Sequence, residues 1–71
     1  REVNFMRLTI ELSGVTNGDV ELFEKMSSKD LSIRVQKTEG FAKVTAFGSY
    51  DALIPVIMQA TAFKSYSIQL H

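Results

Sequence analysis

Few side chains in this chain can do acid–base, nucleophilic or metal chemistry near neutral pH. The sequence contains no cysteine, and its one histidine, His71, is the last residue. Glu21 and Glu24 lie three residues apart, which places two carboxylates on one helix face, as general acid–base catalysis can require. Lys25 follows Glu21 at i+4, so these residues also fit a solvated helix face with an ion pair. We therefore predict that the chain is not an enzyme and uses no metal and no cofactor.

A loop with two glycines precedes the first predicted helix and could cradle a phosphate group. It contains Ser13-Gly14 and Thr16-Asn17-Gly18, but this spacing matches neither the P-loop nor the dinucleotide-binding fingerprint. A connection from strand to helix needs a glycine and a capping side chain in any case. We interpret the loop as structural.

Length and composition indicate one small globular domain over residues 1–71. The residues are 45% hydrophobic and 23% charged, and eight basic residues balance eight acidic ones. A net charge of zero gives the whole chain no long-range attraction to nucleic acid or to an anionic membrane. The absence of cysteine suits a reducing compartment, so we expect a cytoplasmic location. Residues 1–5 are either a tag or upstream linker before a start at Met6, or part of a longer protein.

Alternation of apolar and polar residues predicts four strands, over residues 6–12, 31–36, 41–47 and 64–70. Between them, Thr16 or Asn17 can cap a short helix that ends near Ser28. A second helix is capped by Ser49 or Asp51, and its apolar residues recur at helical spacing. Pro55 costs about 3 kcal/mol inside a helix, so we expect this helix to begin late or to kink there.

The order of these elements is strand, helix, strand, strand, helix, strand. With right-handed crossovers, this order predicts an α+β, ferredoxin-like βαββαβ sandwich, in which two helices cover one face of a four-stranded antiparallel sheet. The other face of the sheet is then open to solvent or to a partner.

Alternation also predicts which side chains lie on each face of the sheet. The helix-covered face receives Met6, Leu8, Ile10, Leu12, Leu31, Ile33, Val35, Ala42, Val44, Ala46, Tyr66, Ile68 and Leu70. The open face receives Arg7, Thr9, Glu11, Ser32, Arg34, Gln36, Phe41, Lys43, Thr45, Phe47, Ser65, Ser67 and Gln69. The candidate contact residues on the open face are three cations and two phenylalanines: Arg7, Arg34, Lys43, Phe41 and Phe47. Such a face can remain solvated, or it can contact a protein partner. The alternative is a platform that binds single-stranded nucleic acid.

The segment Gly40-Phe41-Ala42-Lys43-Val44 resembles part of the third-strand signature of the RNA-recognition motif family. Glu39 stands where that signature has a basic residue, and Lys43 replaces its second aromatic residue. The resemblance implies RNA or single-stranded nucleic acid as the alternative partner of the open face.

The outer strands of the predicted sheet are the second and the fourth, and each has unpaired backbone groups that can extend a sheet into a partner. Lys64 is the one charge on the fourth strand, so we favour this edge for pairing with a protein partner or a second copy. The residues assigned to this edge are Lys64, Ser65, Ser67 and Gln69.

The second half of the chain has a further resemblance. Residues 46–54 (AFGSYDALI), a helix and residues 63–70 (FKSYSIQL) resemble the C-terminal accessory domain of ABC exporter ATPase subunits. The resemblance implies a non-catalytic accessory or regulatory domain within a larger protein. Pro55 departs from the family pattern, and the acidic segment that follows the last strand in the family is absent here.

Overall fold

The computed structural model describes residues 4–63 and 66–71, and its elements follow the predicted order. They are β1 (Phe5–Ser13), α1 (Asn17–Glu24), β2 (Leu31–Thr38), β3 (Phe41–Ser49), α2 (Tyr50–Ala60) and β4 (Tyr66–Leu70). All neighbouring strands pair antiparallel in the order β2-β3-β1-β4, which leaves β2 and β4 at the edges. The prediction of an α+β, ferredoxin-like fold is confirmed.

The hairpin between β2 and β3 turns at Gly40, whose φ of +74° is in the left-handed region that favours glycine. Gly14, after β1, has a φ of +71°, and its N–H donates to the Gly40 carbonyl at 2.8 Å. This hydrogen bond connects the end of β1 to the turn of the hairpin.

A reciprocal capping box fixes the start of α1. The Thr16 hydroxyl accepts from the Asp19 N–H at 3.2 Å, and the Asp19 carboxylate accepts from the Thr16 N–H at 2.9 Å. The helix ends at Glu24 rather than near Ser28, so the predicted end was too late. The Ser28 N–H donates instead to the Leu31 carbonyl at 2.8 Å. Ser28 therefore belongs to the loop that leads into β2.

Helix α2 begins directly after β3, because the Ser49 hydroxyl caps it by accepting from the Ala52 N–H at 3.3 Å. Pro55 lies inside the helix, so of the two alternatives predicted for it, a late start or a kink, the late start was wrong. Proline leaves the carbonyl four residues earlier without its usual donor. That carbonyl belongs to Asp51, an exposed residue, so water can take the place of the missing N–H.

The core lies between the sheet and the two helices, and it is built from the side chains that alternation assigned to the covered face. Leu8, Ile10 and Val44 meet Leu53 and Val56 of α2, all with no exposed surface. Tyr66 and Leu70 are 48% and 47% exposed although they lie on the helix-facing side. The reason is that α2 packs chiefly against β1 and β3, which leaves both ends of β4 exposed, whereas Ile68 between them packs against the core.

Strand β3 continues through Gly48 to Ser49, two residues beyond the predicted end at residue 47. Position 48 has no room for a side chain. A Cβ at residue 48 would lie 2.7 Å from the Asp30 carbonyl oxygen and 3.2 Å from Leu31 Cδ1. We expect Gly48→Ala to lower the free energy of unfolding by about 1–3 kcal/mol, since backbone must move. Urea denaturation measures this change.

Gly18→Ala is the matched control for Gly48→Ala. Gly18 lies in the first turn of α1, and the nearest atom to an added Cβ is Thr16 Oγ1 at 3.7 Å. Alanine is a better helix former than glycine, so we expect Gly18→Ala to raise the free energy of unfolding by about 0.5–1 kcal/mol. If both variants lost the same free energy of unfolding, the close contact at Gly48 would not be the cause of the loss.

Candidate interaction surfaces

The open face of the sheet consists of cross-strand rows that the pairing register defines. Arg7 lies opposite Phe47, and Glu11 lies opposite Lys43. Arg34 on β2 lies opposite Thr45, in the central row that also contains Thr9. The structure therefore brings the five candidate contact residues onto one face. It also places Glu11 next to Lys43, which offsets part of the positive charge there.

Aromatic side chains on this face lie at its two ends. Phe5 and Phe47 form a pair at one end, with ring centroids 5.5 Å apart and planes tilted by 41°. Phe41 is 62% exposed and lies six residues away along β3, roughly 20 Å at the usual rise of a strand. Thr9 and Thr45 occupy the centre. The centre of the face therefore has no aromatic side chain. The rings at the two ends are too far apart to stack on consecutive bases.

A shallow depression of about 580 Å³ opens beside Phe41. Its lining includes Lys43, Glu11 and Gln36, together with Tyr66 and Ser67 of β4. A mixed apolar and charged lining of this kind can hold an aromatic ring next to an anionic or polar group.

The β4 edge presents its backbone groups in alternation. Arg7 and His71 exchange two hydrogen bonds, from His71 N–H to Arg7 carbonyl at 2.8 Å and from Arg7 N–H to His71 carbonyl at 3.3 Å. Because such pairs alternate along an antiparallel ladder, Gln69 and Ser67 also direct their N–H and C=O groups towards β1. The outward groups of β4 therefore belong to Tyr66, Ile68 and Leu70.

Ser67 and Gln69, which the sequence assigned to edge pairing, thus have backbone groups that bond to β1 and side chains on the open face. Lys64 and Ser65, assigned to the same edge, lie outside the described residues.

Helix α2 has an exposed apolar stripe at i, i+4 and i+8. Tyr50, Ile54 and Met58 are 56%, 37% and 67% exposed, while Leu53 and Val56 face the sheet with no exposure. In a right-handed β3–α2–β4 crossover, this stripe lies on the side of α2 that faces β4. The stripe spans about 12 Å along the helix and the apolar residues of β4 span about 13 Å.

We call this combined surface the β4–α2 flank. Its residues are Tyr50, Ile54 and Met58 of α2 and Tyr66, Ile68 and Leu70 of β4. None of the six is charged. Exposed apolar side chains grouped on one side of a domain can mark an interaction site.

The opposite edge of the sheet differs in charge. Strand β2 contains Arg34 and Lys37 and no acidic residue. Cations on an edge strand discourage the addition of another strand. Only the β4 edge therefore combines unpaired outward backbone groups with an uncharged sequence over the described residues.

Within the described ranges, no group of three or more His, Cys, Asp or Glu side chains comes together that could hold a metal ion. Neither helix of the described chain is long and apolar enough to cross a membrane.

Comparison with known proteins found no matching family model, no matching curated protein and no matching solved structure. Functional inference for this chain therefore depends on the geometry of its surfaces.

Sequence reasoning missed the α2 half of the β4–α2 flank. The signal was present, because Tyr50, Ile54 and Met58 recur at helical spacing beside the buried stripe of Leu53 and Val56. Sequence reasoning considered only the face of this helix that packs on the sheet and assigned no role to the other apolar residues.

Proposed function

We propose that this chain is a non-catalytic interaction module that binds a protein partner through the β4–α2 flank. One observation supports the proposal above others: the rest of the described chain leaves both an uncharged edge strand and an apolar helix stripe exposed. Both features favour contact with a protein, because the edge offers backbone hydrogen bonds and the stripe offers apolar surface.

Site-specific photo-crosslinking tests this function. A benzophenone amino acid at Met58 is expected to give a protein adduct when the chain is irradiated in its native cells. The same probe at Lys37, on the charged β2 edge, is expected to give none. Adding Ile54→Glu to the Met58 probe variant should remove the adduct, because a carboxylate would then be desolvated in the contact. No adduct at Met58 above the Lys37 background would contradict the proposal.

We also propose that the module is an accessory or regulatory domain of a larger cytoplasmic protein. The support is the resemblance of residues 46–70 to the C-terminal accessory domain of ABC exporter ATPase subunits. An upstream nucleotide-binding domain in the natural reading frame would support this context. A start codon at Met6 and a stop codon after His71 would contradict it.

A second candidate function, binding of RNA or single-stranded DNA on the open face, is favoured by one observation. Phe41 and Lys43 line the same depression, so a base could stack on the ring while the ammonium group contacts a phosphate. The absence of a central aromatic residue limits such binding to a few nucleotides.

An oligonucleotide mixture at low salt tests this second function, because phosphate contacts are strongest there. Lys43→Ala should weaken binding, whereas Lys37→Ala, which removes the same charge from the other side of the sheet, should not. Absence of binding at low salt would exclude the function.

A further inference from the structure

The free backbone groups of β4 and its apolar side chains belong to the same three residues. Tyr66, Ile68 and Leu70 direct their N–H and C=O groups away from β1, and their side chains lie on the helix-facing side. A strand that adds to this edge therefore hydrogen-bonds to these residues, and its own alternate side chains extend the β4–α2 flank.

The charge pattern points to a particular partner. Residues 66–70 of β4 contain no charged side chain, so two copies of this strand can lie side by side without repulsion. Two copies of β2 would bring Arg34 and Lys37 of each chain close to those of the other, which is unfavourable. The charges therefore permit self-pairing at the β4 edge of the sheet and oppose it at the β2 edge.

We propose that the occupant of the β4–α2 flank is a second copy of this chain, paired antiparallel through β4 about a two-fold axis. This inference rests on the proposed function. In the register we propose, Ile68 lies opposite Ile68 of the second copy, and Tyr66 lies opposite Leu70. Every outward N–H and C=O of these three residues then has a partner, and the two sheets become one continuous sheet of eight strands.

Two-fold symmetry makes this arrangement closed and self-complementary. An aromatic ring packs against an aliphatic side chain at each end of the paired strands, a favourable cross-strand combination. The two α2 helices lie on the same face of the joined sheet, one on each side of the paired β4 strands. Between them, the apolar side chains of both β4 strands come together and leave less apolar surface in water than in a single copy.

The available surface is of the size that a modest dimer uses. Five residues of the flank are between 37% and 67% exposed, which corresponds to surface on the order of 500 Å² at about 150–250 Å² for a large side chain. Pairing through β4 covers only part of this surface, so the interface is smaller than the roughly 800 Å² that each partner buries in a stable complex. A reversible, concentration-dependent dimer is the expected result.

Disulfide trapping tests the register, and the chain suits it because it contains no cysteine. Ile68→Cys places two thiols opposite each other, with Cα atoms about 5.5 Å apart, within disulfide range. Leu70→Cys places its two thiols on Cα atoms about 14 Å apart, beyond that range. We expect Ile68→Cys to form the disulfide-linked dimer at least about 10-fold faster than Leu70→Cys under mild oxidation.

A mixture of Leu70→Cys and Tyr66→Cys chains supplies the complementary arm. These two positions lie opposite each other in the proposed register, so the mixture should form the mixed dimer while neither variant alone does. Equal trapping of Ile68→Cys and Leu70→Cys would overturn the register.

Light scattering on the unmodified chain keeps the proposal testable if a cysteine variant fails to fold. A mass that rises from one chain towards two with concentration supports self-pairing, and a mass of one chain at every concentration overturns it. If that occurs while the Met58 probe still gives an Ile54-dependent adduct with a different protein, self-pairing fails and the proposed function stands. If neither experiment shows contact, both fail.

Discussion

Leu70→Pro is expected to leave the chain folded and to separate it into single copies. The Leu70 N–H points away from β1, so proline removes no bond from the ladder between β1 and β4. It does remove a donor from the proposed pairing, twice in a two-fold dimer. At about 1 kcal/mol for each hydrogen bond, the dissociation constant should rise by roughly 30-fold, and the proline ring adds a steric obstacle. Sedimentation velocity over a range of concentrations measures the change.

Gln69→Pro is the matched control for Leu70→Pro, because the neighbouring N–H points inward. Gln69 pairs with Thr9 in the ladder, so proline there removes a ladder hydrogen bond and places its ring against β1. We expect a loss of about 3 kcal/mol in the free energy of unfolding. If Leu70→Pro destabilised the chain as much as Gln69→Pro, the assignment of outward and inward groups on β4 would be incorrect.

Leu53→Ala is expected to cost about 2–5 kcal/mol of folding free energy, since Leu53 is completely buried between α2 and the sheet. A 71-residue domain has roughly 4–10 kcal/mol in total. The variant should therefore be largely destabilised, with a urea midpoint shifted far below that of the parent chain at an unchanged m-value.

Ile54→Ala supplies the contrast on the adjacent residue. Ile54 is 37% exposed on the β4–α2 flank, so its truncation should cost less than about 1 kcal/mol of stability and should weaken self-association instead. Equal losses of stability at residues 53 and 54 would contradict the orientation of α2.

The fold could be predicted from the sequence because local chemistry and tertiary packing agree along most of the chain. Period-two alternation in β1 and β3 assigned Leu8 and Val44 to the interior, where both are fully buried. The predicted end of the third strand at residue 47 was too early, and the role of Gly48 depends on residues that are distant in sequence. Glycine at this position leaves room for the Asp30 carbonyl oxygen. A contact with a residue so distant in sequence cannot be predicted from the local pattern.

The contact surface was predictable only in part. Alternation placed Arg34, Phe41 and Lys43 together on the open face, as the register shows. It also placed Tyr66 and Leu70 under the helices, where both remain half exposed. Their exposure depends on how far α2 reaches across the sheet, and this is a property of helix position rather than of residue type. The direction of the β4 backbone groups likewise depends on the register with β1.

Residue-resolved amide hydrogen exchange along β4, at low and at high protein concentration, tests the central claim most directly. At low concentration, we expect slow exchange at Ser67 and Gln69 and fast exchange at Tyr66, Ile68 and Leu70, because only the first two amides face β1. At high concentration, the three outward amides should become slow as well. Outward amides that stay fast at the highest concentration would contradict pairing at this edge.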